Sequence, residues 1–289
     1  SNRNESLQFP LSDDIYGVDD GGKLLHLLQT ISGEIYDNTV ANKSAFEKKI
    51  IANKDVKRNF PHLKVQFYYQ ELFVGKGFPL NNPPFAAITT QDDDDNTLIL
   101  AWRGSKTPAD WLKNFSLHPK DLHSCGTLKV QGAYYDVIQK YFKTPTDSNQ
   151  TGKGRDLKRL VETGSVALNI KGGKPIQRII LTGHSLGGGL AQVAHQILDF
   201  ELSDFSKAIQ KSKVDVYTVA FSAPMTTIAS DVNYRVEKMH NFVLSQDVIP
   251  RLYGNLDYLD KVLQSVLLKL DKNSPAKSVV EKFIQEYIL

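Results

Sequence analysis

The chain has one cysteine, no long apolar run and almost no net charge, and each of these absences excludes a class of protein. Cys125 is the only cysteine among 289 residues, so an internal disulfide is excluded. No run of about 18 apolar residues occurs, so no transmembrane helix is expected. The net charge of +3 is too small to indicate a nucleic-acid partner. The sequence implies no metal and no organic cofactor.

The composition is that of a soluble globular protein, with 41% hydrophobic and 23% charged residues. The length suits one large α/β domain over residues 1–289. The single cysteine and the lack of a visible signal peptide favour an intracellular location, without excluding secretion. The opening Ser1-Asn2 lacks a methionine, so we expect the natural N-terminus to be missing. Nothing in the sequence sets an oligomeric state.

The most informative segment is an apolar run that ends at Thr182 and continues as Gly183-His184-Ser185-Leu186-Gly187. A helical pattern of apolar residues follows over 190–198. Gly-x-Ser-x-Gly between a strand and a helix predicts a nucleophile elbow, a strained turn that exposes the serine hydroxyl at the end of a sheet. The alternative is a phosphate-binding turn, but the lysine which that pattern requires does not follow these glycines. The elbow predicts a serine hydrolase.

Strand and helix patterns alternate along the rest of the chain. Strands are predicted at 65–69, 84–90, 97–102, 178–182, 215–221 and 241–244, and helices at 24–36, 130–142 and 190–198. This alternation predicts a mainly parallel central sheet with helices on both faces. The polar, glycine-containing stretch 144–155 is predicted to be a surface loop.

Asp247 is the best candidate for the carboxylate of a catalytic triad. A serine nucleophile needs a base, typically an imidazole that a carboxylate holds in the correct tautomer. Asp247 directly follows the predicted strand 241–244, and such residues gather at the carboxyl edge of a parallel sheet. Asp231 and Asp257 compete less well because neither directly follows a strand. The alternative is that Asp247 only tightens its own turn.

Two backbone N–H groups are predicted to form an oxyanion hole. One belongs to Leu186, at the amino end of the helix that follows the elbow. The other belongs to Ser105, which follows the predicted strand 97–102 and the glycine turn at Gly104. The alternative for Ser105 is an ordinary turn at the end of a strand.

Four motifs in this order and approximate spacing resemble the class 3 lipases, also called the fungal-lipase-like family. They are Trp102-Arg103-Gly104-Ser105, Gly183-His184-Ser185-Leu186-Gly187-Gly188, Phe221-Ser222-Ala223-Pro224 and Gln246-Asp247-Val248-Ile249-Pro250-Arg251. The resemblance covers about residues 24–255. It implies an α/β-hydrolase fold and cleavage of carboxylic esters of lipids, acylglycerols or phospholipids, the latter as a phospholipase A1. It would make Ser185 the nucleophile, Asp247 the triad acid, and Ser105 and Leu186 the oxyanion hole.

The segment Arg103-Gly104-Ser105, which carries the predicted Ser105 donor, is called the oxyanion loop. The resemblance also implies a lid directly after this loop. Pro108 suits the first turn of a short helix, whose apolar face would consist of Trp111, Leu112 and Phe115. A lid covers the acyl groove in water and opens at a lipid surface, so transient contact with a lipid surface is expected. The alternative is that Trp111 packs on the body of the protein.

The triad histidine is the main departure from the family pattern. The family places it after the triad acid, whereas no histidine here follows His240. His184 is expected to point into packing, and His195 lies about 15 Å along the helix axis from the elbow. His118 and His123 follow the oxyanion loop and are the weaker alternatives for a base.

Two interpretations of this departure remain. A helical C-terminal extension at about 256–289 ends at Leu289 within an apolar pattern and without a cap, which favours a natural chain that continues further. Otherwise the protein is a non-catalytic lipase-like module that binds a lipid or a protein partner. Two smaller departures, at Val130-Gln131-Gly132-Ala133 and at Ser222, do not touch the reacting groups.

Overall fold

The structure is a computed structural model that describes residues 21–37, 42–69, 83–91, 96–106, 119–122, 128–144, 153–166, 173–229 and 238–243, with a few residues between 264 and 281. The helices are α1 (Gly21–Glu34), α2 (Lys43–Ala52), α3 (Lys54–Asn59), α4 (Gly132–Phe142), α5 (Gly154–Thr163), α6 (Leu186–Phe200) and α7 (Asp204–Ser212). The strands are β1 (Lys64–Tyr69), β2 (Phe85–Gln91), β3 (Asn96–Trp102), β4 (Pro119–Asp121), β5 (Leu128–Gln131), β6 (Arg178–His184), β7 (Asp215–Phe221), β8 (Thr227–Ala229) and β9 (Met239–Phe242).

The central sheet is mixed, with antiparallel strands in one half and parallel strands in the other. Its strand order is β1-β2-β3-β6-β7-β9. The first three strands pair antiparallel, whereas β3, β6, β7 and β9 run parallel to one another. A smaller antiparallel sheet has the order β4-β5-β8. The predicted parallel arrangement therefore holds for the strands around the elbow, and the hairpin β2–β3 adds the antiparallel part.

Helices cover both faces of the central sheet, as the sequence predicts. Side chains alternate along β3, so that Leu98, Leu100 and Trp102 join one core cluster while Ile99 and Ala101 join the other. Helices α4 to α7 pack on the first face and helices α1 to α3 on the second. The inner strands β3, β6 and β7 are thus buried over most of their length, whereas the edge strand β9 is partly exposed.

Two predicted boundaries are wrong for local reasons. The helix predicted at 130–142 begins at Gly132, because Val130 and Gln131 belong to β5. The Gln131 side chain then accepts a hydrogen bond from the Tyr134 N–H at 2.9 Å and caps the helix. The loop predicted at 144–155 gives way to α5 at Gly154, and residues 145–152 lie outside the described residues.

The predicted C-terminal extension at 256–289 lies almost entirely outside the described residues. Among the helices that the structure describes, none combines the length and apolar character that a membrane crossing requires.

Candidate active site

Ser185 forms a strained turn between β6 and α6. Its backbone has φ 54° and ψ −124°, a positive φ that residues other than glycine rarely adopt. The turn is held from both sides: the Ser185 N–H donates to the Phe221 carbonyl at 2.8 Å, and the Gly189 N–H donates to the Ser185 carbonyl at 3.1 Å. The elbow conformation that the sequence predicts is therefore present, with Ser185 7% exposed.

The two glycines that flank Ser185 in the motif have no room for a side chain. A Cβ atom on Gly183 would lie 2.4 Å from the carbonyl carbon of Gly187. A Cβ atom on Gly187 would lie 2.1 Å from the carbonyl oxygen of Trp102, the last residue of β3. These contacts press the start of α6 against both β6 and the end of β3, as the sequence predicts for small residues at these positions.

The predicted oxyanion residues follow neighbouring parallel strands. Trp102 of β3 lies opposite Gly183 of β6 in the sheet register, so the residues after them meet at one edge. Ser105 lies three residues beyond β3 and is half-buried. Leu186 is the first residue of α6, and the first N–H groups of a helix have no partner within it. The two N–H groups thus belong to adjoining segments at the carboxyl edge of the sheet.

A buried arginine lies in the segment between β3 and Ser105. Arg103 is only 4% exposed, and its Nε donates to the Gly104 carbonyl at 3.2 Å. Its backbone N–H donates to the Pro84 carbonyl at 3.0 Å. These bonds fix the path of the loop just before Ser105.

A cavity of about 840 Å³ opens over the elbow and is lined by two of the sequence-predicted site residues, Ser185 and Ser105, together with His184. Its other walls come from α1, from the segment after β7 and from the end of β9: Leu25, Gln29, Ser32, Gly33, Tyr36, Phe221, Ser222, Phe242 and Val243. The cavity is therefore largely apolar, with a few polar groups near Ser185.

His184 does not point into packing, so that prediction is wrong. It is exposed and lines the cavity, where its Nδ1 lies 2.9 Å from the Tyr36 hydroxyl. Alternation along β6 explains this, because His184 shares a face with Ile180 and Thr182 and that face packs on α1. His184 is the last residue of β6 and lies beyond the apolar core of this face. It meets Tyr36, which follows the end of α1.

Tyr36 is a site residue that the sequence did not reveal. The helix predicted at 24–36 ends with Tyr36. In the structure α1 ends at Glu34, and Tyr36 lies beyond it and reaches the elbow. Its ring packs edge-on against the His184 ring, with centroids 5.8 Å apart. No local pattern predicts a contact between residues so distant in the chain.

The other described histidines do not line the cavity beside Ser185. His195 is 2% exposed, and its Nδ1 lies 2.9 Å from the Thr218 Oγ1. His26 lies 3.1 Å from the Asn53 amide. Burial lowers the pKa of His240, whose Nε2 has no hydrogen-bond partner among the described residues. None of the described histidines hydrogen-bonds to the Ser185 hydroxyl.

Several predicted residues lie outside the described residues. These are the triad acid Asp247, the lid residues Trp111, Leu112 and Phe115, and the alternative bases His118 and His123. The strand that precedes Asp247 is observed as β9, two residues earlier than predicted, and it runs parallel to β7. Within the described ranges, no cluster of histidine, cysteine and carboxylate side chains could hold a metal ion.

The model of the lipase (class 3) family matches residues 99–256, which is more than half of the chain and includes the elbow and the oxyanion loop. The chain therefore belongs to the class 3 lipase family. A comparison with curated protein sequences finds no match.

Solved lipase structures resemble this fold at low sequence identity. The Rhizomucor miehei triacylglyceride lipase is 17% identical with a TM-score of 0.50, over 79% of this chain and 72% of that one. The lipase of Rhizopus microsporus var. chinensis is also 17% identical with a TM-score of 0.50, over 80% and 68% of the two chains. A triacylglycerol lipase described as having a serine protease triad is 15% identical with a TM-score of 0.50, over 81% and 75%. These similarities show the fold, which is the α/β-hydrolase fold.

Proposed function

We propose that this protein is a serine hydrolase that cleaves carboxylic esters of lipids, acylglycerols or phospholipids. Membership of the class 3 lipase family supports lipid-ester hydrolysis at this coarse level. The observation that carries the finer proposal is the strained turn at Ser185, whose side chain opens into a cavity beside the oxyanion loop. A strained serine at the carboxyl edge of a parallel sheet is the arrangement by which α/β-hydrolases present a nucleophilic hydroxyl for acyl transfer.

In the proposed acylation step, the Ser185 Oγ attacks the carbonyl carbon of the ester. The carbonyl oxygen becomes an oxyanion, which the N–H groups of Ser105 and Leu186 stabilise. Each such donor contributes roughly 2.7–4 kcal/mol to the transition state. The bond to the alcohol then breaks, and the alcohol leaves with the proton that Ser185 gave up.

In the second step, water attacks the acyl-enzyme and releases the carboxylic acid. The proton from that water returns the Ser185 hydroxyl, so that one ester and one water give one alcohol and one acid. The residues of the chain supply the nucleophile and the oxyanion donors, and neither step requires a cofactor.

A histidine must carry the proton in both steps, and we propose Asp247 as the carboxylate that orients it.

A second candidate function rests on the same residues. No histidine follows Asp247 within these 289 residues, and no described histidine hydrogen-bonds to the Ser185 hydroxyl. A non-catalytic module that uses the cavity to bind a lipid or a protein partner fits these two observations.

We propose Trp111, Leu112 and Phe115 as the apolar face of a lid over the cavity. In water this face would cover the cavity, and at a lipid surface it would move aside. Val243, at the rim of the cavity, is 40% exposed, so an apolar side chain already faces solvent at the entrance.

A fluorophosphonate probe tests the proposal, because it reacts with activated serines. We expect labelling of the wild-type chain at Ser185, located by mass spectrometry, together with turnover of a short-chain p-nitrophenyl ester and of emulsified tributyrin. Ser185→Ala should abolish labelling and turnover, and Asp247→Asn should lower turnover by roughly 10⁴-fold. Ser222→Ala is the matched control, since Ser222 lines the same cavity and should leave labelling intact.

The two candidate functions give different results. Labelling and turnover that depend on Ser185 support the hydrolase. Vesicle binding without labelling or turnover, in both the 289-residue chain and a longer natural chain, supports the module. His118→Ala and His123→Ala, compared in the same assay, show whether either histidine carries the proton.

A further inference from the structure

We propose that Tyr36 is a positioning residue that holds the elbow and the oxyanion loop at a fixed separation. The inference deepens the proposed function and rests on it. It starts from the position of Tyr36, which follows α1 and lines the cavity beside Ser185 and Ser105.

Tyr36 contacts the elbow through its hydroxyl. The hydroxyl lies 2.9 Å from the Nδ1 of His184 and donates to the His184 carbonyl at 3.4 Å. His184 is the residue directly before Ser185, so these bonds act on the turn that sets the direction of the Ser185 side chain. The edge-on packing of the two rings adds a second contact between the same residues.

Tyr36 also contacts the oxyanion loop, on both sides of Ser105. The Lys106 ammonium donates to the Tyr36 carbonyl at 2.9 Å. On the other side, a Cβ atom on Gly104 would lie 1.7 Å from the Tyr36 hydroxyl oxygen, so the hydroxyl packs directly on this glycine. Only a glycine at 104 leaves room for the hydroxyl that also reaches His184.

The end of α1 is itself held in place by an ion-pair cluster. Lys49 of α2 forms an ion pair with Glu34 at 3.2 Å and a second one with Asp37. These acidic residues lie on either side of Tyr36 in the sequence. The Tyr36 backbone is therefore anchored to α2 before its side chain reaches the site.

One side chain thus joins the two segments that carry the proposed oxyanion donors, Ser105 and Leu186. An oxyanion hole works only when both N–H groups lie at hydrogen-bond distance from one oxygen atom. A displacement of about 1 Å in such a site costs up to a hundredfold in rate. Loss of the Tyr36 hydroxyl should therefore lower the rate of acylation while leaving substrate binding largely unchanged.

The test compares Tyr36→Phe with the wild-type 289-residue chain in p-nitrophenyl ester hydrolysis and in fluorophosphonate labelling. We expect kcat and the labelling rate to fall by between about tenfold and a hundredfold, with KM changed less than twofold. Tyr68→Phe is the matched control, because the buried Tyr68 hydroxyl has no described hydrogen-bond partner and lies outside the cavity. Its kcat should equal that of the wild type.

Variants of His184 separate positioning from a general loss of structure. His184→Asn keeps a hydrogen-bonding amide near the position of Nδ1 and should retain kcat within about threefold, whereas His184→Leu should lose as much as Tyr36→Phe. The double variant Tyr36→Phe/His184→Leu should lose no more than either single change, because the two residues act as one unit.

Three results would overturn the inference: a Tyr36→Phe chain with wild-type kcat, a loss that appears in KM instead of kcat, or additive losses in the double variant. If neither the 289-residue chain nor a longer natural chain is labelled or active, the proposed function fails and this inference falls with it. If the wild type is active and Tyr36→Phe is equally active, only this inference fails.

Discussion

Gly187 in the elbow lies against the last residue of β3, Trp102, so closely that a Cβ atom on the glycine would be 2.1 Å from the tryptophan carbonyl oxygen. Gly187 directly follows Leu186, and Trp102 lies three residues before Ser105. The contact therefore brings together the two segments that would supply the oxyanion donors. Because the neighbouring atoms belong to the backbone, they have little freedom to move aside.

Gly187→Ala should destabilise the fold and reduce reaction at Ser185. Forcing a methyl group against a packed backbone costs about 1–3 kcal/mol, and relief of the clash would separate the elbow from β3. Thermal unfolding followed by circular dichroism measures the first effect, and fluorophosphonate labelling measures the second. Gly22→Ala is the control, since nothing lies within 4 Å of a Cβ atom at that position. Equal melting temperatures for the two variants would contradict the close approach.

Ser222→Gly should stabilise the protein. Ser222 has φ 51°, a left-handed conformation that costs a residue with a Cβ atom roughly 1–2 kcal/mol. Glycine removes this cost but adds about 0.5–1 kcal/mol of chain entropy in the unfolded state. We expect a net gain of up to about 1 kcal/mol, measured by urea unfolding. Ser212→Gly, at the end of the ordinary helix α7, should instead lose stability. A loss of stability in Ser222→Gly would mean that the serine side chain makes compensating contacts.

The elbow and the parallel strands could be predicted because their signals are local. Apolar runs that end at a Gly-x-Ser-x-Gly turn define β6, Ser185 and the start of α6 without information from the rest of the chain. The lipase resemblance rests on equally short motifs, and the family match confirms it. The departure from that pattern at Ser222 has a physical consequence, because this residue has a positive φ of 51°.

Features that depend on distant contacts could not be predicted in the same way. The position of Tyr36 at the elbow requires α1 to cross the sheet above β6, and no spacing within residues 24–36 indicates this. The exposure of His184 could not be predicted, because it depends on where the apolar core on that face of the sheet ends. Helices α5 and α7 do carry a local signal, because Leu157, Leu160 and Val161 in α5, and Phe205, Ala208 and Ile209 in α7, follow helical spacing.

Thr218→Val should destabilise the core without changing the chemistry at Ser185. Thr218 is fully buried in β7, and its Oγ1 lies 2.9 Å from the Nδ1 of His195. Valine has the same shape but leaves a buried ring nitrogen without its partner, which costs about 1–3 kcal/mol. Thr218→Ser keeps the hydroxyl and should lose less. The free energy of unfolding from urea titration compares the two, and an equal loss in both variants would contradict a role for the hydrogen bond.

Acidification should destabilise the protein partly through His240. Burial lowers the pKa of this histidine below its usual value of about 6.5, so the folded state stays neutral where the unfolded chain binds a proton. The sign follows directly: stability from His240 is present above pH 6.5 and is lost as the pH falls from there toward the folded pKa. His240→Gln should therefore show a smaller drop in melting temperature between pH 7 and pH 5 than the wild type. His62→Gln controls for the loss of an exposed histidine, and a slope in His240→Gln equal to that of the wild type would contradict the assignment.

Helix α1 both packs in the core and lines the cavity, and this limits how the protein can change its substrate preference during evolution. Leu27, Leu28 and Ile31 are fully buried in the core cluster, whereas Leu25, Gln29 and Gly33 of the same helix line the cavity. Substitutions that change the lining of the cavity directly are therefore confined to one side of the helix. A mutation on the other side would alter the cavity by shifting the whole helix, and the end that leads to Tyr36 would move with it.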